Sequence, residues 1–394
     1  MKSINDLSNF DFIEHTVPNH REINKEIAKH LDIIVKEIKS NLHFVKSVYL
    51  TGGYSRGEGT VLNTKNKFKF ISDYDILVET HYLKLYNLLK SKKLERKLSE
   101  KLNSLVEINV LVRKPSKRIL FYEMIQEGLC IHGQDNLSKF RFPSNQIDKY
   151  DGLRLLFNRM QGLVVAVYKE FPRATYSEYW NDKIIKESMK GFLAIAESLL
   201  LLSDKYLPTY KERNKVFQDI FKKDFFELYV QMVDLEYFVD LATKWKLNPN
   251  TISVSNPVDL WFKARDYMLK IVDYYIKRLY KIEDNENPID VFLKERKYCE
   301  IWTNFKYIFL KFLNENQMMP EVIWAIPPLT LRLKAALYYT LESIYKNGWI
   351  DGHKLNKAYD FLRPLTINAN CRKNLDITDW KTMVEFLKNN YSLA

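Results

Sequence analysis

The sequence predicts an α+β protein, with an N-terminal α/β module built on a short mixed sheet and a large all-helical C-terminal region. Three observations predict it. Four of the eleven glycines in 394 residues, Gly52, Gly53, Gly57 and Gly59, crowd one turn directly after the apolar run Val48, Tyr49, Leu50. Asp73 and Asp75 open a second apolar run ending at Glu79, and Glu107 interrupts a third, SLVEINVLVRK. After about residue 150, long stretches with apolar residues at helical spacing take over, punctuated by prolines at plausible helix ends.

The elements follow in order. Ile23, Ile27, Leu31, Ile34, Val35 and Ile38 recur at helical spacing over residues 20 to 41, which predicts an amphipathic helix. Phe44 to Leu50 reads as a strand running into the glycine turn. The alternating Lys and Phe of VLNTKNKFKFI, residues 61 to 71, read as a short hairpin arm. Ile71 to Glu79 is a second strand, residues 81 to 104 a helix with its leucines inward, and SLVEINVLVRK a third strand. In that strand Glu107 and Asn109 share one face, and Val106, Ile108, Val110 and Val112 the other. A helical stretch near 120 to 128 and a strand and turn at CIHGQDNL complete the module. Helices are expected over 151 to 171, 182 to 203, 209 to 245, 256 to 282, 289 to 314, 329 to 346, 353 to 363 and 378 to 390, with EDNENP near 284 as a linker. The expected division is a helical segment at 1–45, the α/β module at 46–140, a helical domain at 150–284 and a helical region at 288–394.

Glycine permits positive φ and lets backbone N–H groups approach an anion, so the crowded turn suggests a phosphate cradle. Asp73 and Asp75, two apart on a strand, point the same way. Like charges so placed call for a hard divalent cation, and Mg²⁺, or Mn²⁺ in its place, held by carboxylates and substrate phosphates is the expected cofactor.

Composition sets outer limits. At 46% hydrophobic and 28% charged the chain is ordinary for a folded protein, and its 14% aromatic share predicts cores built from large rings. Cys130, Cys299 and Cys371 match no zinc or redox spacing, which favours a reducing compartment. No secretory signal opens the chain, and GFLAIAESLLLL at 191 to 202 is too short to span a bilayer, so a cytoplasmic protein without membrane partners is expected. The net charge of +12 gathers in three clusters: Lys65, Lys67 and Lys69; Lys92 to Lys101; and Arg113 to Arg118. Such surfaces suit a nucleoside triphosphate or a polyanionic acceptor, and equally a solvated face in a lysine-rich proteome.

Apolar strand, Gly52-Gly53, Asp73-Tyr74-Asp75 and Val106-Glu107-Ile108, in this order, resemble the nucleotidyltransferase superfamily typified by DNA polymerase β. The string GGYSRGE is also similar to the turn of uridylyltransferases that modify signalling proteins. The resemblance spans roughly 90 residues. It implies that Asp73, Asp75 and Glu107 bind metal and carry catalysis. It further implies that Gly52, Gly53, Tyr54, Ser55 and Arg56 hold the phosphates, with Gly53 and Tyr54 offering backbone N–H groups. A basic residue from a following helix often touches the triphosphate in such folds, which nominates Lys186 and Lys190, with Lys183, Arg154 and Arg159 as lesser candidates. Gly53 stands where serine is commonest, leaving Ser55 or Thr51 to supply a hydroxyl, and the arm at 61 to 71 lengthens the interval to the aspartates.

The implied activity is transfer of a nucleoside monophosphate from a nucleoside triphosphate to a hydroxyl of a small molecule or protein side chain. Polymerisation of a nucleic acid or second messenger, and a non-catalytic nucleotide-binding module, are the alternatives. Glycosyl transfer through the D-x-D requires a larger parallel sheet than the helical remainder offers. Tyr206, Tyr210 and Arg213 could stack on a base, although at helical spacing they more often pack.

Overall fold

The computed structural model of the chain describes residues 7, 10–14, 21–64, 67–81, 84–111, 114–172, 177–283, 285–294, 329–362 and 375–391. An N-terminal module of mixed sheet and helices is followed by a large all-helical region. By contact the chain divides into two units that are not collinear with it. One comprises Met1–Asp148, Ser203–Tyr229 and Asp240–Ser253, the other Lys149–Leu202, Val230–Val239 and Val254–Ala394.

In the first unit, α1 (Arg21–Asn41) buries Ile23, Ile27, Leu31, Ile34 and Ile38 on the stripe that its periodicity predicts. Strands β1 (Val45–Thr51), β4 (Tyr74–Thr80), β5 (Val106–Leu111) and β6 (Leu129–Gly133) form one sheet in the order β5-β4-β1-β6. The sheet is mixed: β1 returns to β4 through the glycine turn and the inserted hairpin and pairs with it antiparallel, whereas β4 reaches β5 by a crossover through the helix α3 (Lys84–Leu102) and pairs with it parallel. Both faces are covered. Leu31, Ile34, Leu94 and Leu98 pack with Val48, Leu50, Ile76 and Ile108 on one side. On the other, Met124 and Ile125 of α4 (Ile119–Glu127) pack with Tyr49, Leu77 and Leu111.

The Lys/Phe alternation forms the expected hairpin, β2 (Val61–Thr64) against β3 (Lys67–Phe70), with Val61 opposite Phe70 and Thr64 opposite Lys67. Its base is pinned where it meets the aspartates. The Ser72 hydroxyl accepts from the Thr60 N–H at 2.8 Å, and the Ser72 N–H donates to the Thr60 carbonyl at 3.2 Å. After β6, the short α2 (Gly52–Ser55) being counted with the turn, come the long helices. Ser203–Tyr229 contributes α7 (Tyr210–Asp224), whose first turn is capped by Thr209: its hydroxyl accepts from the Glu212 N–H and bonds the Glu212 carboxylate at 2.7 Å. The α8 helix (Phe226–Gln231) ends this stretch, and Asp240–Ser253 contributes the C-terminal part of α9 (Leu235–Leu247).

The second unit is built of helices among the described residues, with one antiparallel bridge between Ile344 and Ile350. Its centre is α5 (Tyr150–Val167), α6 (Glu178–Leu202) and α10 (Pro257–Tyr280). Gly152 lets α5 come close to α10, since a Cβ there would lie 2.2 Å from the Tyr275 hydroxyl. That hydroxyl donates to the Lys149 carbonyl at 2.6 Å, and the Trp261 indole donates to the Leu163 carbonyl at 2.8 Å. Aromatic rings fill this core, as the composition predicts. The expected helix over 289–314 is described as α11 (Pro288–Lys294) alone; the remainder lies outside the described residues, as do Cys299, Cys371, Lys65 and Arg113. The helices α12 (Leu329–Glu342), α13 (Gly352–Leu362) and α14 (Ile377–Tyr391) follow, and the Trp380 indole donates to the Thr340 carbonyl at 2.8 Å. No helix among the described residues is long and apolar enough to cross a membrane.

One carboxyl of this core carries a pH dependence. Asp273 on α10 receives the Tyr338 hydroxyl at 2.9 Å on one oxygen, while its other oxygen is buried without a hydrogen bond. Burial raises its pKa from 3.8 to about 6. The folded protein therefore holds this proton where the unfolded chain releases it, so the group opposes folding increasingly as pH rises from about 4 to about 6. In urea denaturation, the stability of Asp273→Asn relative to wild type should shift in the variant's favour between pH 4 and pH 7, by up to about 3 kcal/mol.

Candidate active site

The glycine turn and the aspartate strand meet at a contact that admits no side chain. Gly52 has φ +71°, and a Cβ on it would lie 1.9 Å from Asp75 Oδ2. Both conditions select glycine, because positive φ and the missing Cβ are needed at once. The turn then closes on itself: the Ser55 hydroxyl donates to the Gly52 carbonyl at 3.0 Å, and the Gly53 carbonyl accepts from the N–H groups of Arg56 at 3.2 Å and Glu58 at 2.9 Å. The Tyr54 ring is fully buried and stacks on Tyr74, the middle residue of the D-x-D, at 4.9 Å and 24°. Gly59 makes room for that ring, since a Cβ there would stand 2.1 Å from it.

Register brings the carboxylates together. Strands β4 and β5 pair with Asp75 opposite Glu107, and Asp73 precedes β4 by one residue, its successor Tyr74 donating from N–H to the Leu105 carbonyl at 2.8 Å. The electrostatics follow from this placement. Burial, then the charges of Glu107 and Asp73, raise the Asp75 carboxyl to about 7. Partial desolvation and the charge of Asp73 also raise Glu107. Carboxylates that destabilise one another's ionised forms constitute an oxygen-donor set that a hard cation relieves, so these residues fit Mg²⁺ chemically. As they stand, no group of three or more His, Cys, Asp or Glu among the described residues is gathered tightly enough to ligate one ion.

Arg56 is bound into a buried set of ion pairs. Its side chain is 5% exposed, Nε donates to Glu58 at 3.1 Å and NH1 to Glu123 at 3.1 Å. Glu123 also receives the Tyr206 hydroxyl and pairs with Arg213 at 3.0 Å, while Arg213 further donates to the Pro208 and Thr209 carbonyls. Burial works to raise the Glu123 carboxyl, but Arg213 and Arg56 overcome it and hold it below its ordinary value. Burial likewise opposes the charge of Arg56, and Glu123 and Glu58 more than restore it. The Tyr210 ring lies against Arg213 at 4.2 Å and Arg56 at 5.7 Å. Tyr206, Tyr210 and Arg213 thus pack around the base of the glycine turn.

The lysines nominated from the sequence lie in the other unit, on α6. Lys186 is exposed, Lys190 pairs with Glu187 at 3.7 Å, and Lys183 donates to the Val165 carbonyl at 3.2 Å. Sequence reasoning passed over Lys246, on the part of α9 that belongs to the first unit. Its carbonyl accepts from the Thr60 hydroxyl at 2.9 Å, and its ammonium interacts electrostatically with Asp73, Glu58 and Asp75. The only signal in the sequence is a lysine at the end of an amphipathic helix, which does not distinguish it from dozens of others.

No known protein family matches the chain, and no curated protein matches it. Among solved structures, the chain is similar to a tyrosine-to-alanine mutant of the MntA–HpeT toxin–antitoxin. That match is 23% identical, covers 32% of this chain and 88% of the other, and has a TM-score of 0.21. A mutant of the same system with two aspartates changed to glutamate is 21% identical over 31% of this chain and 88% of the other, at a TM-score of 0.22. A toxin–antitoxin structure with AMP-PNP is 25% identical with the same coverage and TM-score. The likeness is confined to about a third of the chain.

Three substitutions test this geometry. Gly52→Ala should lower unfolding stability by at least about 1 kcal/mol from its positive φ alone, and by more because Asp75 must move. Gly53→Ala, whose Cβ would stand 3.3 Å from the Glu58 carbonyl, should cost less, and chemical denaturation of the pair gives the order. Arg56→Met strips Glu58 and Glu123 of a buried partner and should destabilise by about 3–5 kcal/mol, read by the same measurement.

Proposed function

We propose that this chain is a metal-dependent nucleotidyltransferase of the DNA polymerase β type, which moves a nucleoside monophosphate from a nucleoside triphosphate to an acceptor hydroxyl. The observation that carries the reading is the register of β4 and β5, which sets Glu107 beside Asp75 with Asp73 two positions upstream and Gly52 against Asp75. Carboxylates that raise one another's pKa beside a side-chain-free turn suit phosphoryl chemistry better than a structural role, because their mutual repulsion opposes folding.

Asp73, Asp75 and Glu107 would hold Mg²⁺ or Mn²⁺, which when bound supplies charge neutralisation of the triphosphate and a lowered pKa for the attacking hydroxyl. The chain's own groups do the remainder. Without a Cβ at Gly52 and Gly53, the backbone of the turn can approach a phosphate oxygen closely. The Glu107 carboxylate, raised above its usual value, is suited to accept the proton of the acceptor hydroxyl. The acceptor oxygen bonds to the α-phosphorus, the bond from that phosphorus to the bridging oxygen breaks, and pyrophosphate leaves with the electron pair. Arg56, tied to Glu58 and Glu123, keeps the turn in shape from behind.

A small molecule or a protein side chain is the preferred acceptor. A nucleic-acid acceptor is favoured by a separate observation, the net charge of +12, and would show as a steep loss of affinity with salt. Incubation with each α-phosphate-labelled nucleoside triphosphate, Mg²⁺ or Mn²⁺ and fractionated extract tests the reading. Label should enter one fraction with wild type and fall by at least about a hundredfold with Asp73→Asn/Asp75→Asn. Folded protein that transfers no label from any nucleotide, while still binding one, would point instead to a non-catalytic module.

A further inference from the structure

Three elements of the first unit converge on Tyr74, the residue between the two aspartates. Along an extended chain successive side chains alternate, so Asp73 and Asp75 turn to one face and Tyr74 to the core. Its side chain is fully buried. From the glycine turn Tyr54 stacks on it at 4.9 Å, from the hairpin Phe70 lies 6.5 Å away, and from α1 His30 meets it edge-on at 5.6 Å. The hydroxyl is held as well: His30 Nδ1 lies 2.8 Å from it, in a buried hydrogen bond across 44 residues of sequence. The other ring nitrogen of His30, Nε2, lies 3.7 Å from the Glu26 carboxylate one helical turn earlier. That negative charge favours a proton on Nε2, which leaves Nδ1 to accept from the Tyr74 O–H.

A tyrosine fixed at both ring and hydroxyl cannot rotate without turning its neighbours, because one stretch of backbone carries all three side chains. We propose that His30 is a positioning residue for the carboxylate pair: neutral, it accepts the Tyr74 hydroxyl and fixes the backbone that carries Asp73 and Asp75, and protonated it lets that backbone go. The role in transfer rests on the nucleotidyl-transfer reading above; the hold on the strand does not. Imidazole chemistry makes the hold conditional. In the imidazolium both nitrogens carry protons, so Nδ1 no longer accepts and the Tyr74 O–H must send its proton elsewhere. The adjoining Tyr54 hydroxyl is already buried without a hydrogen bond, which marks the pocket as poor in acceptors. Glu26 and Lys29 of its own helix and Tyr74 of β4 are the titratable groups that bear on His30, and Phe70 of β3 meets its ring at 5.1 Å without charge. Burial lowers the His30 pKa from its ordinary 6.5, Glu26 works against this, and Lys29 adds to it, so the holding form prevails at neutral pH and acid releases it.

Hydrogen exchange of the full chain, with each rate corrected for the intrinsic effect of pH, tests the assignment. The readout is the protection of residues 72–76 relative to that of β6, which does not pair with β4. Between about pH 7.5 and about pH 5, wild type should lose at least about tenfold of this relative protection. His30→Asn, which keeps an acceptor near the place of Nδ1 and takes up no proton, should change by less than about twofold. Tyr74→Phe should show the lowered value already at about pH 7.5. Asp75, at about 7, titrates in the same range, but it does so in His30→Asn as well, so the difference between the two proteins belongs to His30. His30→Gln takes the place of His30→Asn if the latter fails to fold by circular dichroism. In ¹⁵N spectra at about pH 7.5 the His30 Nδ1 should be unprotonated. Equal loss in wild type and the non-titrating variant, a loss shared equally by β6 as a merely structural histidine would give, or a proton on Nδ1 would each overturn the assignment. Exchange needs neither metal nor nucleotide, so a protein that meets these expectations yet transfers no label brings down the nucleotidyl-transfer reading alone.

Discussion

The contact between Gly52 and Asp75 is the constraint on which the first unit depends. A backbone at positive φ passes so near a carboxylate that no other residue can stand there, and the carboxylate is thereby fixed beside Glu107 on the neighbouring strand. The neighbouring features of the motif serve that contact. The Tyr54–Tyr74 stack joins the turn to the middle of the D-x-D beneath the carboxylates, Gly59 leaves space for the ring, and Ser72 with Thr60 anchors the inserted hairpin so that its length does not displace Asp73. The stack has an energetic cost: the Tyr54 hydroxyl is buried without a hydrogen bond, a penalty of about 1–3 kcal/mol that the ring's packing must outweigh.

Beneath the turn, charges do what apolar residues usually do. Arg56, Glu58, Glu123 and Arg213 form a chain of ion pairs with side chains between 1% and 18% exposed. Such pairs add little net stability, because desolvation consumes most of their attraction, but each is expensive to break. They specify one arrangement. The glycine turn, α4 and the start of α7, drawn from residues 56 to 213, can satisfy these groups only when assembled together.

Much of this was legible in the sequence, and the boundary of legibility has a physical cause. Period-two and period-3.6 apolar patterns announce strands and helices locally, so the mixed sheet, the Lys/Phe hairpin and the helical remainder could be read directly. Asp73, Asp75 and Glu107 stood out as well, since like charges inside apolar strands are anomalies that demand a reason, and the register sets Asp75 opposite Glu107. The ion pair of Arg56 was not legible, because nothing in GGYSRGE points to the buried Glu123, sixty-seven residues away. Lys246 was harder still: its position depends on a hydrogen bond to Thr60 across 186 residues, and no local pattern encodes a contact of that range.

The discontinuity of the first unit bears on how the protein comes to exist. During synthesis the strands, the glycine turn and the three carboxylates emerge within the first third of the chain, but Arg213 and Lys246 leave the ribosome only after the α5 and α6 helices of the other unit. Until then Glu123 lacks one of its two guanidiniums, and the turn has no closing partner at Thr60. Native contacts of such sequence separation form late. A nascent chain therefore displays the carboxylate strand well before the contacts of Arg213 and of the Lys246 carbonyl can form, and those form only when nearly two thirds of the polypeptide has been made.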